Sequence, residues 1–214
     1  MEKNKQVITI KAPNFQMATF KIVGTAPLVI HKMSKKIKDA IRAKQEQGDI
    51  AKGKKTKHEP RDFEADFNEA RHISEDGWDG FHAGGLRAAL ISACRVAGYV
   101  MTRAKLTAFV IADVIDKEDQ VPLVRIYGKP HQHVCGVRLD DGSFNLCARP
   151  MWDEWYSVVK IEFDADMLSL TDITHLLMRA GRQVGLCEGR PNSHNSAGCG
   201  WGTFRIEGDP KAIK

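Results

Sequence analysis

Polar and apolar positions first alternate between Met17 and Thr25, where Phe20 and Ile22 are interleaved with Lys21 and Val23 before Gly24 breaks the run. That period of two predicts a strand, and Pro27 limits its continuation. From Ser34 the period lengthens. Ile37, Ala40, Ile41 and Lys44 recur at helical spacing, with Ser34 as a suitable N-cap and Gly48 as a stop, so a helix with a basic outer face is expected to about Gln47. Asp49 to Glu59 holds no large apolar residue except Ile50 and reads as a loop. Pro60 then opens a short helix in which Phe63 and Phe67 form an i,i+4 pair.

The clearest helical stripe follows, with Leu86, Ala89, Leu90, Ala93 and Ala97 on one side of a helix from about Ala83 to Ala97 and Gly98 as its stop. Strand-like runs come next at Thr107 to Ile115, Val121 to Tyr127, His133 to Leu139 and Trp155 to Phe163, with a turn at Asp140-Asp141-Gly142-Ser143. Ser169 and Asp172 have capping-box spacing for a second core helix that carries Leu170, Ile173, Leu176, Leu177 and Ala180 inward and stops at Gly181. A glycine ladder, Gly198-Cys199-Gly200-Trp201-Gly202, leads into a last strand at Thr203 to Glu207. With the inserted pieces set aside, the order is β-α-β-β-α-β. It predicts an α+β, ferredoxin-like antiparallel sheet with two helices on one face. The expectation is a single domain, 1–214, with a basic insertion at 31–80 and a hairpin insertion at 116–154.

A dinucleotide or nucleotide-phosphate loop would lead into a helix, whereas β-favouring residues follow this ladder, so no cofactor is expected. The alternating glycines are expected instead to admit another backbone at close range, as a clamp on a sheet edge. The 214 residues, 43% of them hydrophobic, suffice for one sizeable core, and no apolar run of membrane-spanning length interrupts them. The opening residues lack the apolar centre of a secretion signal, and the five cysteines form no C-x-x-C pair; both predict a reducing, cytoplasmic setting.

Charge changes the picture. His31 to Arg61 holds eleven Lys or Arg against four acids, a segment of +7 within a chain of +5. One basic segment on a mildly acidic body fits a polyanionic partner, nucleic acid being the commonest. The candidate phosphate contacts are Lys32, Lys35, Lys36, Lys38, Arg42, Lys52, Lys54, Lys55, Lys57 and Arg61. Gly84 and Gly85 at a helix start, with Arg87 beside them, offer a second anion site, and Arg190 before the glycine ladder is either a phosphate contact or a partner for Glu188. Trp201 is the foremost base-stacking candidate, ahead of Trp152, Trp155 and Phe144. Two competing chemistries stay open. A metal-dependent nuclease could use Asp39, or Asp62, Asp66, Glu69 and His72 on part of one helix face. His131, His133 and Cys135, or Cys187, His194 and Cys199, could gather a metal, although neither set has a zinc-site spacing.

Three segments resemble the repeat-associated (RAMP) superfamily, which supplies RNA-binding backbone subunits of CRISPR effector complexes. Phe20-Lys-Ile-Val-Gly-Thr-Ala-Pro-Leu28 is similar to its first strand, Phe81-His-Ala-Gly-Gly-Leu-Arg-Ala-Ala-Leu90 to its Gly-rich helix start, and Ser196-Ala-Gly-Cys-Gly-Trp-Gly-Thr-Phe204 to its closing loop. The chain departs from the family at Gly84-Gly85, where two serines are usual, at His82 for proline, and at Ile91 for a basic residue. The resemblance implies a modified RNA-recognition-type fold whose protomers stack side by side along a single strand. It places Gly84, Gly85 and Arg87 on phosphates, makes Gly198, Gly200 and Gly202 close-approach positions, and implies other effector-complex subunits as partners. The expected function is therefore single-stranded nucleic-acid binding, RNA favoured, in a homo-oligomer or filament and without a membrane. A phage-type single-stranded DNA-binding or annealing protein is the alternative within that class.

Overall fold

The computed structural model describes residues 11–47, 60–138, 142, 144–193 and 198–213. In chain order it contains β1 (Phe15–Gly24), β2 (Leu28–Val29), α1 (Lys35–Gln47), α2 (Phe63–Glu69), β3 (His72–Ile73), β4 (Asp79–His82) and α3 (Ala83–Val96). There follow α4 (Met101–Thr107), β5 (Ala108–Ile111), β6 (Val114–Ile115), β7 (Pro122–Arg125), β8 (His131–Arg138), β9 (Phe144–Trp152), β10 (Tyr156–Asp164), α5 (Leu170–Arg179) and β11 (Phe204–Ile213).

β1 buries Ala18, Phe20 and Ile22 on one face, and β10 buries Ser157, Val159, Ile161 and Phe163 likewise, as the two-residue period requires. These two strands are the centre of an antiparallel sheet ordered β11, β1, β10, β5. α3 lies in sequence between β1 and β5, and α5 between β10 and β11, so the fold is α+β and ferredoxin-like. The stripe of α3 (Leu86, Ala89, Leu90, Ala93) and that of α5 (Ile173, Leu176, Leu177) join Phe20, Ile22, Ile161 and Phe163 in one buried core. Ser169 and Asp172 form the expected capping box at the start of α5.

Two further sheets are formed by the segments between β1 and α3 and between β5 and β10, ordered β2, β9, β8 and β3, β4, β7, β6. β2 and β4 lie between β1 and α3, and β7 and β9 between β5 and β10, so these two stretches of chain pair with each other rather than standing apart. Their Leu28, Ile30, Phe81, Val124, Ile126 and Trp152 join the same core as the central sheet.

Several boundaries differ from the sequence reading. The run Thr107 to Ile115 divides into β5 and β6, which belong to different sheets, and α4 and β9 were not anticipated. Asp62, not Pro60, caps α2, accepting hydrogen bonds from the amides of Glu64 and Ala65. Gly181 does not stop the second helix, which continues as a π-turn over Ala180–Val184 and ends at Gly185 with φ 73°. Gly181 serves close approach, because a Cβ there would overlap the carbonyl oxygen of Phe204 on β11. The turn at Asp140 to Ser143 lies largely outside the described residues, with Gly142 inside them at φ 83°. No helix among the described residues is long and apolar enough to cross a membrane.

Gly181→Ala is expected to destabilise the protein by roughly 1–3 kcal/mol through overpacking of α5 against β11. Urea unfolding checks this; an unchanged midpoint would contradict the close packing of these two elements.

Candidate nucleic-acid interface

The residues just after β2, with β3, β4, α3 and the chain after α5, surround an open cleft of about 520 Å³. Ile30, Phe81, Ala89, Val184 and Leu186 give it an apolar floor, while His31, His72, His82, Glu188, Arg190 and Asn192 supply polar groups. Gly85 forms part of the wall, and nothing lies within 4 Å of where its Cβ would be. The amide of Gly84 is already engaged: it donates to Nδ1 of His82, the N-cap of α3, at 2.8 Å. The pair Gly84-Gly85 thus divides its roles, one capped and one lining the cleft.

Behind the cleft lies a buried charge cluster. Asp116 is fully buried, and its Oδ1 accepts the amides of Glu118 (2.8 Å) and Asp119 (2.7 Å) and lies 3.4 Å from Nζ of Lys32. Its Oδ2 sits 3.0 Å from Nδ1 of His72. Burial alone would raise the Asp116 carboxyl, but those amides, with His72 and Lys32, hold it below the usual carboxylate range. Burial likewise works to lower Lys32, yet Glu118 at 2.8 Å, Asp116 and Asp119 hold it above its ordinary value. For His72 burial prevails over Asp116 and lowers it, so the ring is neutral at pH 7. His72, Asp116 and Asp119 are the one group of potential metal ligands that converges among the described residues. The Lys32 ammonium already supplies the cation there, 3.9 Å from Asp119 as well.

Lys32 is therefore corrected as a phosphate contact, since its side chain is 5% exposed and ion-paired inward. Lys38 also turns inward, pairing with Asp119. Arg87 binds protein, not phosphate. Its guanidinium donates to the carbonyls of Lys105 and Ala108 at the end of α4 and lies over the Phe109 ring, so it holds α3 against the α4–β5 junction. Arg61 pairs with Asp66 at 2.6 Å and donates to Asn145 at 2.7 Å. Lys35, Lys36 and Arg42 remain on the exposed surface of α1, where Arg42 pairs with Glu46. Lys52, Lys54, Lys55 and Lys57 lie outside the described residues.

The glycine ladder does clamp a backbone, but that of its own chain and not a sheet edge. A Cβ on Gly198 would overlap the Arg190 carbonyl, and one on Gly202 the Leu186 carbonyl, whereas Gly200 faces open space. The amides of Cys199 and Trp201 both donate to the carbonyl of Gly189, at 2.8 and 3.1 Å. Trp201 packs across Gly189 and meets His133 edge to face at 5.6 Å, so its ring braces the loop. Arg190 does not pair with Glu188, which binds Arg149 at 3.1 Å; it donates to the Cys187 carbonyl at 2.9 Å and reaches the cleft. The clamp thus fixes residues 186–190 as one wall.

The remaining candidates disperse. Trp152 and Trp155 are core residues, and Phe144 is exposed. Asp39 lies on exposed α1, Asp62 caps α2, Asp66 holds Arg61, and His72 turns to Asp116, so the acids expected beside His72 do not gather around it. His131 pairs with Asp153 and His133 with Trp201; His194 lies outside the described residues. Asp116 was missed. The signal available was the polar turn Asp116 to Gln120, where a side-chain oxygen accepts amides two and three residues on. Also unforeseen is an aromatic stack beside the central sheet: Tyr127 and Tyr156 lie 4.6 Å apart, capped by Arg125 on one side and Lys21 on the other.

No family model matches the chain, and no curated protein matches it. Among solved structures it is similar to a chain of the cryo-EM structure of the Type III-B Cmr-beta bound to cognate target RNA, with a TM-score of 0.46 and 10% identity. The likeness covers 94% of this chain and 61% of that one, so this chain spans less than two thirds of that chain's length.

The buried cluster sets a pH dependence. The unfolded chain takes a proton on His72 more readily than the fold does, so the stability carried by the neutral ring is full above the ordinary imidazole value of 6.5 and declines below it. The stability carried by ionised Asp116 is full above the ordinary carboxylate range and is lost as pH falls through its depressed value. Thermal scans between pH 8 and 3 are expected to show Tm falling in both windows. His72→Phe should reduce the first decline, to which His31, lowered by burial, also contributes. Asp116→Asn should reduce the second, to which Asp172 and Glu207 also contribute; it should also destabilise by roughly 3–5 kcal/mol at neutral pH, because it strips a charge partner from buried Lys32. A wild-type Tm that does not change between pH 8 and 5 would contradict the neutral ring.

Proposed function

We propose that this protein binds single-stranded nucleic acid, with RNA the favoured polymer, and that copies associate side by side along the strand. The observation that carries the reading is the convergence on one open cleft of three segments distant in sequence: the residues after β1, the start of α3, and the backbone held by the glycine ladder. Of the segments that resemble the RAMP superfamily, residues 81–90 line the cleft itself, while residues 20–28 lead into Ile30 and His31 on its edge and the glycine ladder backs its 186–190 wall. An open cleft with an apolar floor and polar walls suits a chain of unpaired nucleotides, whose bases are apolar on their faces and polar at their edges.

α1 supplies the charge beside it. Lys35 is four residues from His31 on the rim, so the helix begins within about 14 Å of the cleft and presents Lys35, Lys36 and Arg42 at the surface. The helix leaves Ile37 and Ile41 about half exposed, at 48% and 43%. In the side-by-side arrangement that the resemblance implies, this apolar side is covered by the adjacent copy.

Fluorescence polarisation with a labelled single-stranded RNA tests the binding. Lys35→Glu combined with Arg42→Glu is expected to weaken affinity at least tenfold and to flatten the log-affinity against log-salt slope by about 0.7 for each phosphate that is no longer neutralised. Unchanged affinity and slope would remove α1 from the interface. Sizing before and after ribonuclease treatment tests association: particles that collapse on digestion support the filament, and a monomer throughout overturns it.

A further inference from the structure

The cleft holds one polar group whose hydrogen-bonding sense the fold dictates. Asp116 is buried and ionised, and a carboxylate has no proton to give, so the contact of 3.0 Å obliges Nδ1 of His72 to donate. The ring is neutral, which leaves Nε2 as a bare lone pair, an acceptor only. Among the described residues no hydrogen bond reaches Nε2. His72 lines the cleft, and its Nδ1 is already taken up by the buried carboxylate.

The surroundings specify what such an acceptor meets. Phe81, Ala89 and Leu186 offer a flat apolar floor, Ser92, Asn192 and Arg190 add neutral donors and one cation, and the missing side chain of Gly85 leaves the wall open. A cleft of about 520 Å³ lies in the range of small-ligand sites and has room for one nucleotide. We propose that the cleft receives a single unpaired nucleotide of the bound strand and that Nε2 of His72 accepts a hydrogen bond from a donor on it. This rests on the single-strand-binding reading. The donor is either an exocyclic amine on the base or the ribose 2′-hydroxyl. A nucleotide without a donor at that place covers the acceptor without pairing it, a difference of roughly tenfold in affinity.

Matched 12-nucleotide probes test it by fluorescence polarisation: oligo(C), oligo(U), and the 2′-deoxy form of oligo(C). Wild-type protein is expected to prefer oligo(C) to oligo(U) if the base amine is the donor, or ribose to deoxyribose if the 2′-hydroxyl is, in either case by about tenfold. His72→Phe keeps the ring and removes the acceptor; it should erase that preference while leaving the salt slope unchanged. Should that variant fail to fold, the nitrogen-15 histidine spectrum of the wild-type protein decides instead, with an unprotonated Nε2 resonance that moves on adding the preferred oligonucleotide. A wild-type protein that binds all three probes equally, a preference that survives His72→Phe, or an Nε2 resonance unmoved by the bound strand would each overturn the proposal. A wild-type protein that binds none of them at low salt would overturn the single-strand-binding reading as well.

Discussion

The architecture around the cleft depends on one buried carboxylate. Asp116 lies in the turn between β6 and β7, and its two oxygens meet Lys32 from the segment after β2 and His72 from β3. Removing a carboxylate and an ammonium from water costs several kcal/mol each, so such a pair persists only where the remaining lone pairs are also satisfied. Here two backbone amides and an imidazole satisfy them. The requirement is mutual, because Lys32 without Asp116 would lose its one fully buried counter-charge and keep only Glu118 and Asp119, and His72 without it would lose the partner that fixes its tautomer.

That cluster explains how the segments between β1 and α3 and between β5 and β10 become part of one unit with the central sheet. The short strands β2, β3, β6 and β7 bury few residues each and would be marginal alone. Joined through β9 to β2 and through β7 to β4, and locked at the Asp116 turn, they cover the side of the core that β1 and α3 leave open. The same joining brings His31, His72 and the start of α3 together at one cleft.

The glycine ladder and Arg87 show a division of labour that sequence motifs conceal. Both sit in segments that read as nucleic-acid contacts, yet Gly198 and Gly202 admit their own chain at close range, and Arg87 satisfies the last carbonyls of α4. Gly198 and Gly202 thereby back the wall of the cleft, and Arg87 holds in place the helix that lines it. Of the expected phosphate contacts among the described residues, Lys35, Lys36 and Arg42 are exposed on α1, an element whose apolar side the rest of the described chain leaves half open.

What the sequence determined by itself was local and periodic. The capping box at Ser169 and Asp172, the apolar stripes of α3 and α5 and the alternation of β1 and β10 all follow from interactions within a few residues, and with them the α+β, ferredoxin-like order. α4 escaped because it buries little beyond Ala104 and Thr107, and β9 because Arg149 and Pro150 interrupt its pattern while Cys147, Ala148, Met151 and Trp152 are buried as neighbouring pairs. Only the tertiary structure decided which charges face water. His72 and Asp116 are 44 residues apart and Lys32 and Asp116 are 84 apart, so no spacing rule joins them, and a lysine that composition assigns to a polyanion is drawn inward once the fold closes around its carboxylate. Local propensity governs which elements form; desolvation, felt only when distant elements meet, governs what their polar side chains then do.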